Sequence, residues 1–431
     1  MERVLTGITT TGTPHLGNYV GAIRPAVAAS HRKGVESFLF LADYHALVKC
    51  DDPARVARSR LEIAATWLAA GLDPARAVFY RQSDIPEIPE LAWMLACVAA
   101  KGLLNRAHAY KAAVDANLAA GEDADAGVSM GLYGYPVLMA ADILLFNAHK
   151  VPVGRDQIQH IEMARDFAQR FNHLYGGGQA LFVLPEAQVE AQVAVLPGLD
   201  GRKMSKSYDN TIPLFEGGAR ATLEAIRRIV TDSRAPGEPK QPEGTALMTI
   251  FEAFASAEES RAFAEDLRAG LGWGEAKQRL AARIEEELAP MRERYAALMA
   301  RPQEIEDILR EGARRARAVA TPFMARLREA VGLGRLSGAA SAAPRKADGA
   351  RAAAARPAVK QYREADGRFY FKLVDGEGRL LARSRGFEQP REAGAAIAAL
   401  RAAPATAPLE VLEAEPGVDE ARLRATLAAL G

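Results

Sequence analysis

Short apolar runs and longer amphipathic segments alternate along the first part of the chain. Apolar runs at residues 4–8, 38–43 and 77–80 have the length of buried strands, and the segments at 17–30 and 55–70 have the apolar spacing of helices. This alternation predicts a parallel sheet covered by helices on both faces. Because ligands bind beyond the carboxyl ends of such strands, the candidate site residues lie at 9–18, 43–45 and 82–87.

The pattern changes twice further along the chain. From residue 219 to 335 helical periodicity dominates, most clearly at 276–299 and 302–331. Residues 336–358 are rich in alanine and carry several basic side chains, which predicts a flexible basic linker. Beyond it, strands are predicted at 368–374 and 379–384 around a turn, followed by helices at 391–401 and 419–430. Residues 359–431 are therefore expected to form a small α+β module.

Composition excludes several classes of protein. The chain has 431 residues, of which 49% are hydrophobic and 25% charged, so a folded protein of two or three domains is expected. Its net charge of +1 argues against a uniformly basic coat for nucleic acid, and its 2 cysteines cannot make a disulfide framework or a four-cysteine zinc site. No apolar run has the length of a membrane helix and no signal peptide is visible, so we expect a cytoplasmic enzyme without a metal site.

The first candidate motif is the loop at residues 9–18, between the first predicted strand and the first predicted helix. Gly12 and Gly17 allow close backbone approach, and a helix N-terminus favours phosphate. His15 is placed to hydrogen-bond a phosphate oxygen. The alternative is a polar loop with Asn18 as a helix cap.

The second candidate motif is the loop at residues 201–207. Lys203 and Lys206, with serines beside them, offer cations and hydroxyl donors that suit the β- and γ-phosphates of ATP. A basic loop is otherwise solvated surface. A clamp around one nucleotide requires two such loops from opposite halves of one α/β domain, and the two motifs have that placement.

These motifs resemble those of the class I aminoacyl-tRNA synthetases. Residues 14–18, Pro-His-Leu-Gly-Asn, stand at the HIGH motif, and residues 203–207 match KMSKS residue for residue. Segments 135–145, 151–157 and 229–233 resemble the bacterial tryptophanyl-tRNA synthetases more narrowly, and the resemblance extends over roughly residues 1–335.

Asp142 supports the narrower resemblance on physical grounds. It lies in an apolar stretch, where burying an unpaired carboxylate is costly, and an indole N–H is a donor that phenylalanine lacks. The alternative is that Asp142 caps a helix beginning at Ile143.

The resemblance implies a role for each site residue. His15, Lys203 and Lys206 are expected to act in catalysis. ATP is expected to contact Thr9, Thr10, Thr11, Gly17, Asn18, Lys111, Gly154, Arg155, Asp156, Leu196, Lys203, Met204, Ser205, Lys206 and Ser207. Tryptophan is expected to contact His45, Tyr135, Met139, Asp142, Val151, Val153 and Gln157, although an apolar stripe is otherwise core and His45 is otherwise an ordinary hydrogen-bonded histidine.

The chain departs from the family pattern at two of these places. Arg155 stands where many members have glutamate, and residues 9–11 are three threonines where the family often has Gln-Pro-Ser. Three hydroxyls still offer donors to phosphate, but the contacts of a glutamine side chain cannot be transferred to Thr9.

The resemblance also implies an organisation and partners. Residues 1–210 are expected to form a Rossmann-like catalytic domain with a connecting segment inserted at about 100–150, and 211–335 an all-α tRNA-binding domain. The partners implied are ATP with its Mg²⁺, L-tryptophan, tRNA(Trp) and a second copy of the chain. Candidate tRNA contacts are arginines 227, 228, 310, 314, 315 and 317.

Three other functions fit parts of the sequence. A tyrosyl enzyme shares the class, a small-molecule nucleotidylyltransferase shares the first motif, and a non-catalytic tRNA-binding relative shares the fold. The nucleotidylyltransferase would lack the long helical region after Lys206, and a degenerate relative would be expected to have lost His15 or the two lysines. The module at 359–431 has either a role in tRNA affinity or a structural, partner-docking role.

Overall fold

A five-stranded parallel sheet organises the first 335 residues. The computed structural model describes residues 1–10, 12–189, 196–335, 357–364 and 366–430. Its first sheet has the order β3-β2-β1-β4-β5. The strands are β1 (Glu2–Thr9), β2 (Val35–Ala42), β3 (Val78–Arg81), β4 (Lys150–Pro152) and β5 (Glu186–Gln188). The order confirms the predicted Rossmann-like topology, since the chain crosses over between β3 and β4 and both lie in one parallel sheet.

Helices connect these strands and form the region that follows them. After β1 the chain is helical from Leu16 to Ser30, with a wider π-helical turn at Tyr19–Ile23. The remaining helices up to β5 are Asp43–Ala46, Pro53–Ala69, Glu87–Ala96, Lys101–Leu104, His108–Ala119, Met130–Leu145 and Ile158–Tyr175. Those after β5 are Gly218–Arg227, Ala246–Phe254, Ala257–Arg268, Trp273–Met299 and Pro302–Ala330. Single 3₁₀ turns lie at Gln82–Asp84, Arg155–Gln157 and Lys206–Tyr208.

Alternate residues of the sheet feed two hydrophobic cores, as a buried parallel sheet requires. Leu39 and Leu41 of β2 pack into one core with the first helical segment, and Phe38 and Phe40 pack into the other. Both cores continue into the helical region. The helix Pro302–Ala330 packs directly on β3, and a Cβ on its Gly312 would collide with the backbone of Phe79. Glycine is therefore needed for this close approach.

The structure divides the chain differently from the predicted domains. The described residues up to 335 form one compact unit, and the described residues from 357 onward form a second one. The predicted boundary at residue 210 does not separate two compact units, because the helices after it share both cores with the sheet. The linker predicted at 336–358 lies outside the described residues up to residue 356.

The second unit contains an antiparallel four-stranded sheet in the order β6-β7-β8-β9. Its strands are β6 (Ala358–Arg363), β7 (Phe369–Val374), β8 (Leu380–Ser384) and β9 (Leu412–Ala414). The helices Pro390–Ala402 and Glu420–Ala428 cover its apolar side, where Phe371, Leu381 and Leu423 are buried. The predicted α+β module is confirmed, with two further strands that the sequence pattern did not reveal.

Candidate functional site

The two motif loops meet at the carboxyl end of β1. His15 pairs with Pro213 in an isolated bridge, and the Leu16 N–H donates to the Ile212 carbonyl at 3.0 Å. The Gly17 N–H points at the Met204 sulfur, 3.3 Å away. The first motif is thus attached both to the second motif and to the segment that follows it.

His15 begins the first helical segment and is 8% exposed. Its backbone N–H donates to Asn18 Oδ1 at 3.1 Å, so Asn18 does cap the helix. Its Nδ1 atom has no hydrogen-bond partner among the described residues. Burial first, and then the charge of Lys206, lowers the pKa of His15 to about 4. The imidazole is therefore neutral at physiological pH, and a neutral imidazole has one N–H group to donate.

Lys206 extends from the second motif to the backbone of the first. A Cβ built on Gly12 would collide with Lys206 Nζ, so the missing side chain at Gly12 makes room for the ammonium group. Burial and the nearby charge of Arg55 lower the pKa of Lys206, while Glu62 and Glu216 oppose this shift. The sequence-based expectation that His15 and Lys206 converge is met.

A buried asparagine that the sequence analysis missed holds the second motif in shape. Asn210 is 2% exposed and accepts the Ser205 N–H at 2.8 Å. Its amide group donates to the Lys203 carbonyl at 3.1 Å and to Asp200 Oδ1 at 2.7 Å. A polar residue just after a basic loop carries no distinctive sequence signal, because its role depends on the loop folding back on it.

A cavity of about 560 Å³ lies beside these loops, between β1, β4 and the helix Met130–Leu145. All seven residues predicted to contact tryptophan line it: His45, Tyr135, Met139, Asp142, Val151, Val153 and Gln157. Thr9, at the end of β1, lines it as well. Gly7 and Phe40 form part of its wall, and a Cβ on Gly7 would come within 2.5 Å of the Phe40 ring.

Asp142 is the buried acid of this cavity, with 1% of its surface exposed. It lies inside the helix Met130–Leu145, so the alternative that it caps a helix starting at Ile143 is wrong. His45 Nε2 donates to Oδ2 at 2.9 Å, and Gln82 Nε2 donates to Oδ1 at 2.8 Å and to Oδ2 at 2.9 Å. Burial raises the pKa of Asp142, and these hydrogen bonds limit the rise.

Gln82 is a second residue that the sequence analysis did not assign. It is fully buried, and its Oε1 atom accepts the Tyr44 N–H at 3.0 Å while its amide group serves Asp142. The sequence indicated Gln82 as a candidate site residue only by its position just after a predicted strand. Asp43, by contrast, binds Ser83 and Arg60 and does not line the cavity.

Tyr135 is fixed by a hydrogen bond to His160, a third residue to which the sequence analysis gave no role. Its hydroxyl group shares a hydrogen bond of 2.6 Å with Nε2 of His160, whose Nδ1 atom has no partner among the described residues. Burial lowers the pKa of His160, which keeps this imidazole neutral.

A second cavity, of about 680 Å³, adjoins the first. The two share Thr6, Ala22, Pro152, Val153 and Gly154. The second cavity is also lined by Arg155, Asp156 and Lys203, three of the residues predicted to contact ATP.

Other predicted ATP residues lie outside both cavities. Leu196 and Met204 are buried in the hydrophobic core, and Thr10 is buried with an unpartnered hydroxyl group. Lys111 is exposed on the helix His108–Ala119, of which Ala109 lines the first cavity. Ser205 caps the short turn by accepting the Ser207 N–H at 3.3 Å. Thr11 lies outside the described residues.

The described part of the chain shows neither a membrane-spanning helix nor a metal site. None of its helices has both the length and the apolar character needed to cross a membrane. No group of three or more His, Cys, Asp or Glu side chains within it has the arrangement of a metal site.

Comparison with known proteins identifies the family. The model of the class I tRNA synthetases (W and Y) matches residues 1–289. The chain belongs to the class I tRNA synthetases. This synthetase is 66% identical over 393 residues to the tryptophan–tRNA ligase of Pseudomonas aeruginosa, which covers 91% of this chain and 87% of that one. The tryptophan–tRNA ligase of Xylella fastidiosa is 61% identical over 431 residues, 99% of this chain and 97% of its own.

A solved structure gives the same relationship for the first unit. The tryptophanyl-tRNA synthetase of Campylobacter jejuni, complexed with ADP and tryptophan, is 41% identical with a TM-score of 0.70. The match covers 77% of this synthetase and 100% of that chain. The Xylella relative, by contrast, matches nearly the whole length and therefore also the second unit.

The predicted tRNA contacts of this synthetase fall into two groups. Four of the arginines are engaged inside the first unit: Arg310 with Glu306, Arg314 with Glu311, Arg315 with the carbonyls of Pro74 and Ala77, and Arg317 with Glu87. Arg227 and Arg228 are exposed at the end of the helix Gly218–Arg227. Arg310 and Arg314 pair within the long helix, whereas Arg315 and Arg317 attach it to the segment before β3 and to the helix Glu87–Ala96.

Proposed function

We propose that this protein is a tryptophan–tRNA ligase, which activates L-tryptophan with ATP and transfers it to the 3′ end of tRNA(Trp). The observation that carries the proposal is the buried Asp142 carboxylate in a cavity large enough for an indole. Beside this cavity the two motif loops come together, with Lys206 of the second loop at Gly12 of the first. Relatives at 61–66% identity carry the same activity in their names.

Tryptophan would lie in the cavity of Asp142. A carboxylate offers about four acceptor sites, of which His45 and Gln82 use three, and the remaining one is available to the indole N–H. Met139, Val151 and Val153 would contact the indole ring, and Tyr135 and Gln157 the amino acid's polar groups. Phenylalanine has no such donor and would leave the buried carboxylate acceptor unpaired. A site of this kind rejects such a substrate strongly.

Activation would be an in-line displacement at the α-phosphate. The tryptophan carboxylate oxygen forms the new bond to phosphorus while the bond to the bridging oxygen breaks, giving tryptophanyl-adenylate and pyrophosphate. His15 would donate a hydrogen bond to the phosphate that develops charge, and Lys203 and Lys206 would neutralise the departing pyrophosphate. The terminal ribose hydroxyl of tRNA would then take the aminoacyl group and release AMP.

The nucleotide would lie between the motif loops and the second cavity. We assign it the predicted contacts at Thr9–Thr11, Gly17 and Asn18, at Gly154, Arg155 and Asp156, and in the loop of Lys203–Ser207. We assign Leu196 and Lys111 indirect roles in nucleotide binding. Leu196 supports the second motif, because its carbonyl accepts the Met204 N–H at 2.9 Å. Mg²⁺ would arrive with ATP and would supply positive charge to its phosphates.

We further propose that the protein works as a cytoplasmic homodimer and that tRNA contacts Arg227 and Arg228. Charge removal at both positions should weaken tRNA binding and reduce its salt dependence. Light scattering after gel filtration tests the dimer.

Amino-acid-dependent exchange of pyrophosphate into ATP tests the activity. We expect exchange with tryptophan, and little with tyrosine or phenylalanine. Exchange with tyrosine would favour a tyrosyl enzyme, which the family model includes. Absence of exchange with tryptophan and with tyrosine would contradict the proposal.

A further inference from the structure

Arg55 lies beside Lys206 at the backbone of Gly12, although it belongs to neither motif. A Cβ built on Gly12 would lie 3.0 Å from Arg55 Nη2 and would also meet Lys206 Nζ. Arg55 comes from the first turn of the helix Pro53–Ala69. Two cationic groups from distant parts of the chain therefore meet at the buried backbone of Gly12.

The carboxylates near these cations are engaged elsewhere. Glu62 accepts hydrogen bonds from Thr13 Oγ1 at 2.8 Å and from Arg58 Nε at 2.5 Å. Glu216 lies 3.5 Å from Nη2 of the same Arg58. Arg58 therefore pairs with both acids, which still oppose the fall in the pKa of Lys206.

The side chain of Arg55 forms no hydrogen bond or ion pair with any residue that the structure describes. Its backbone, in contrast, is fixed, because Asp52 caps the helix by accepting the N–H groups of Ala54 and Arg55 at 2.9 and 3.2 Å. The guanidinium group is thus held near Lys206 on an anchored helix turn. Placing two like charges together costs free energy, which an anion bound between them would recover.

We propose that Arg55 is an additional phosphate-binding residue, which with Lys206 holds the β- and γ-phosphates of ATP and then the departing pyrophosphate. The proposal rests on the proposed activation of tryptophan by ATP. A guanidinium group suits this position because its planar fork donates two hydrogen bonds to one phosphate. Because position 12 has no side chain, both cationic groups can lie against its backbone.

Arg55→Gln tests the proposal, with Arg261→Gln as the matched control. Arg261 is exposed on the helix Ala257–Arg268, outside both cavities, and the substitution removes the same charge. In the exchange assay we expect Arg55→Gln to raise the Michaelis constants for ATP and pyrophosphate about tenfold, as for loss of one charge-assisted hydrogen bond. The constant for tryptophan should stay within about twofold. Arg55→Lys should recover part of the loss.

Calorimetric titration of the full-length protein with pyrophosphate alone gives a readout that does not need turnover. Weaker pyrophosphate binding by Arg55→Gln, but not by Arg261→Gln, would support the assignment. Equal binding and equal Michaelis constants in the two variants would overturn it, as would a parallel rise in the tryptophan constant. If the unmodified protein shows no tryptophan-dependent exchange, the proposed function fails, and the titration still decides whether Arg55 binds pyrophosphate.

Discussion

Asp142→Asn tests the central feature of the tryptophan cavity. The carboxylate accepts one hydrogen bond at Oδ1 and two at Oδ2, from Gln82 and His45. Because Gln82 Nε2 donates to both oxygens, either orientation of the new amide group places its NH₂ against a donor. His45 can adjust by changing its tautomer, but Gln82 keeps a donor–donor contact unless its own amide group turns. That turn would place its NH₂ group against the Tyr44 N–H, which its carbonyl now accepts.

The expected effect follows from the loss of a charged acceptor in a buried site. A hydrogen bond to a charged group contributes about 1.5–3 kcal/mol, so kcat/KM for tryptophan should fall roughly 10- to 150-fold. The Michaelis constant for ATP should change little, because Asp142 lies outside the second cavity. Thermal unfolding should show a modest loss of stability, since one buried donor loses its partner.

The assay is tryptophan-dependent exchange at saturating ATP, with Asp166→Asn as the control. Asp166 is exposed on the helix Ile158–Tyr175, outside the cavity, and the control makes the same chemical change. A value of kcat/KM for Asp142→Asn that matches the control would refute the reasoning. If the Michaelis constant for ATP rose by the same factor by which kcat/KM for tryptophan falls, the substitution would have disrupted the whole site and not only the indole acceptor.

Three further predictions concern the motif loops and the second unit. Because the pKa of His15 falls from 6.5 to about 4 on folding, stability should be lost as pH falls below 6.5, by roughly 2 kcal/mol at pH 5. Urea unfolding at pH 7 and pH 5 should show this loss, reduced in His15→Gln. Asn210→Ala should lower exchange about tenfold, because Ser205 N–H and the Lys203 carbonyl lose their partner, with tryptophan binding measured by fluorescence unchanged. Deleting residues 337–431 should leave exchange unchanged, since every site residue lies in the first unit; a large loss would assign the second unit a part in activation.

The local pattern of the chain was sufficient for the fold class, and family resemblance was sufficient for the lining of one cavity. Apolar runs with a period of two or without breaks predicted the strands around Val4, Phe38 and Val78, and the helical segments followed from spacing. These signals depend on neighbours in sequence, so no tertiary information was needed. The seven residues expected to contact tryptophan came from family resemblance, and the structure brings all of them to one cavity.

Domain boundaries were less accessible to the sequence. The change to helical periodicity near residue 211 suggested a separate domain, but Leu309 and Phe323 complete the cores on the two faces of the sheet. Whether a helix folds apart from a sheet depends on which apolar faces meet, and periodicity does not record this. The same reason explains Arg315 and Arg317, which look like a basic surface in the sequence but attach the long helix to the segment before β3 and to the helix Glu87–Ala96.

The sequence by itself determined the first three strands, the main helices and the chemical groups that stand at the carboxyl ends of those strands. Only the tertiary structure decided which groups act together. Gln82 and His45 reach Asp142 from positions 60 and 97 residues away, and Arg55 reaches Lys206 from a helix with no motif. Hydrogen bonds and charge interactions act over a few ångströms in space, so chain order carries no record of them until folding sets the distances.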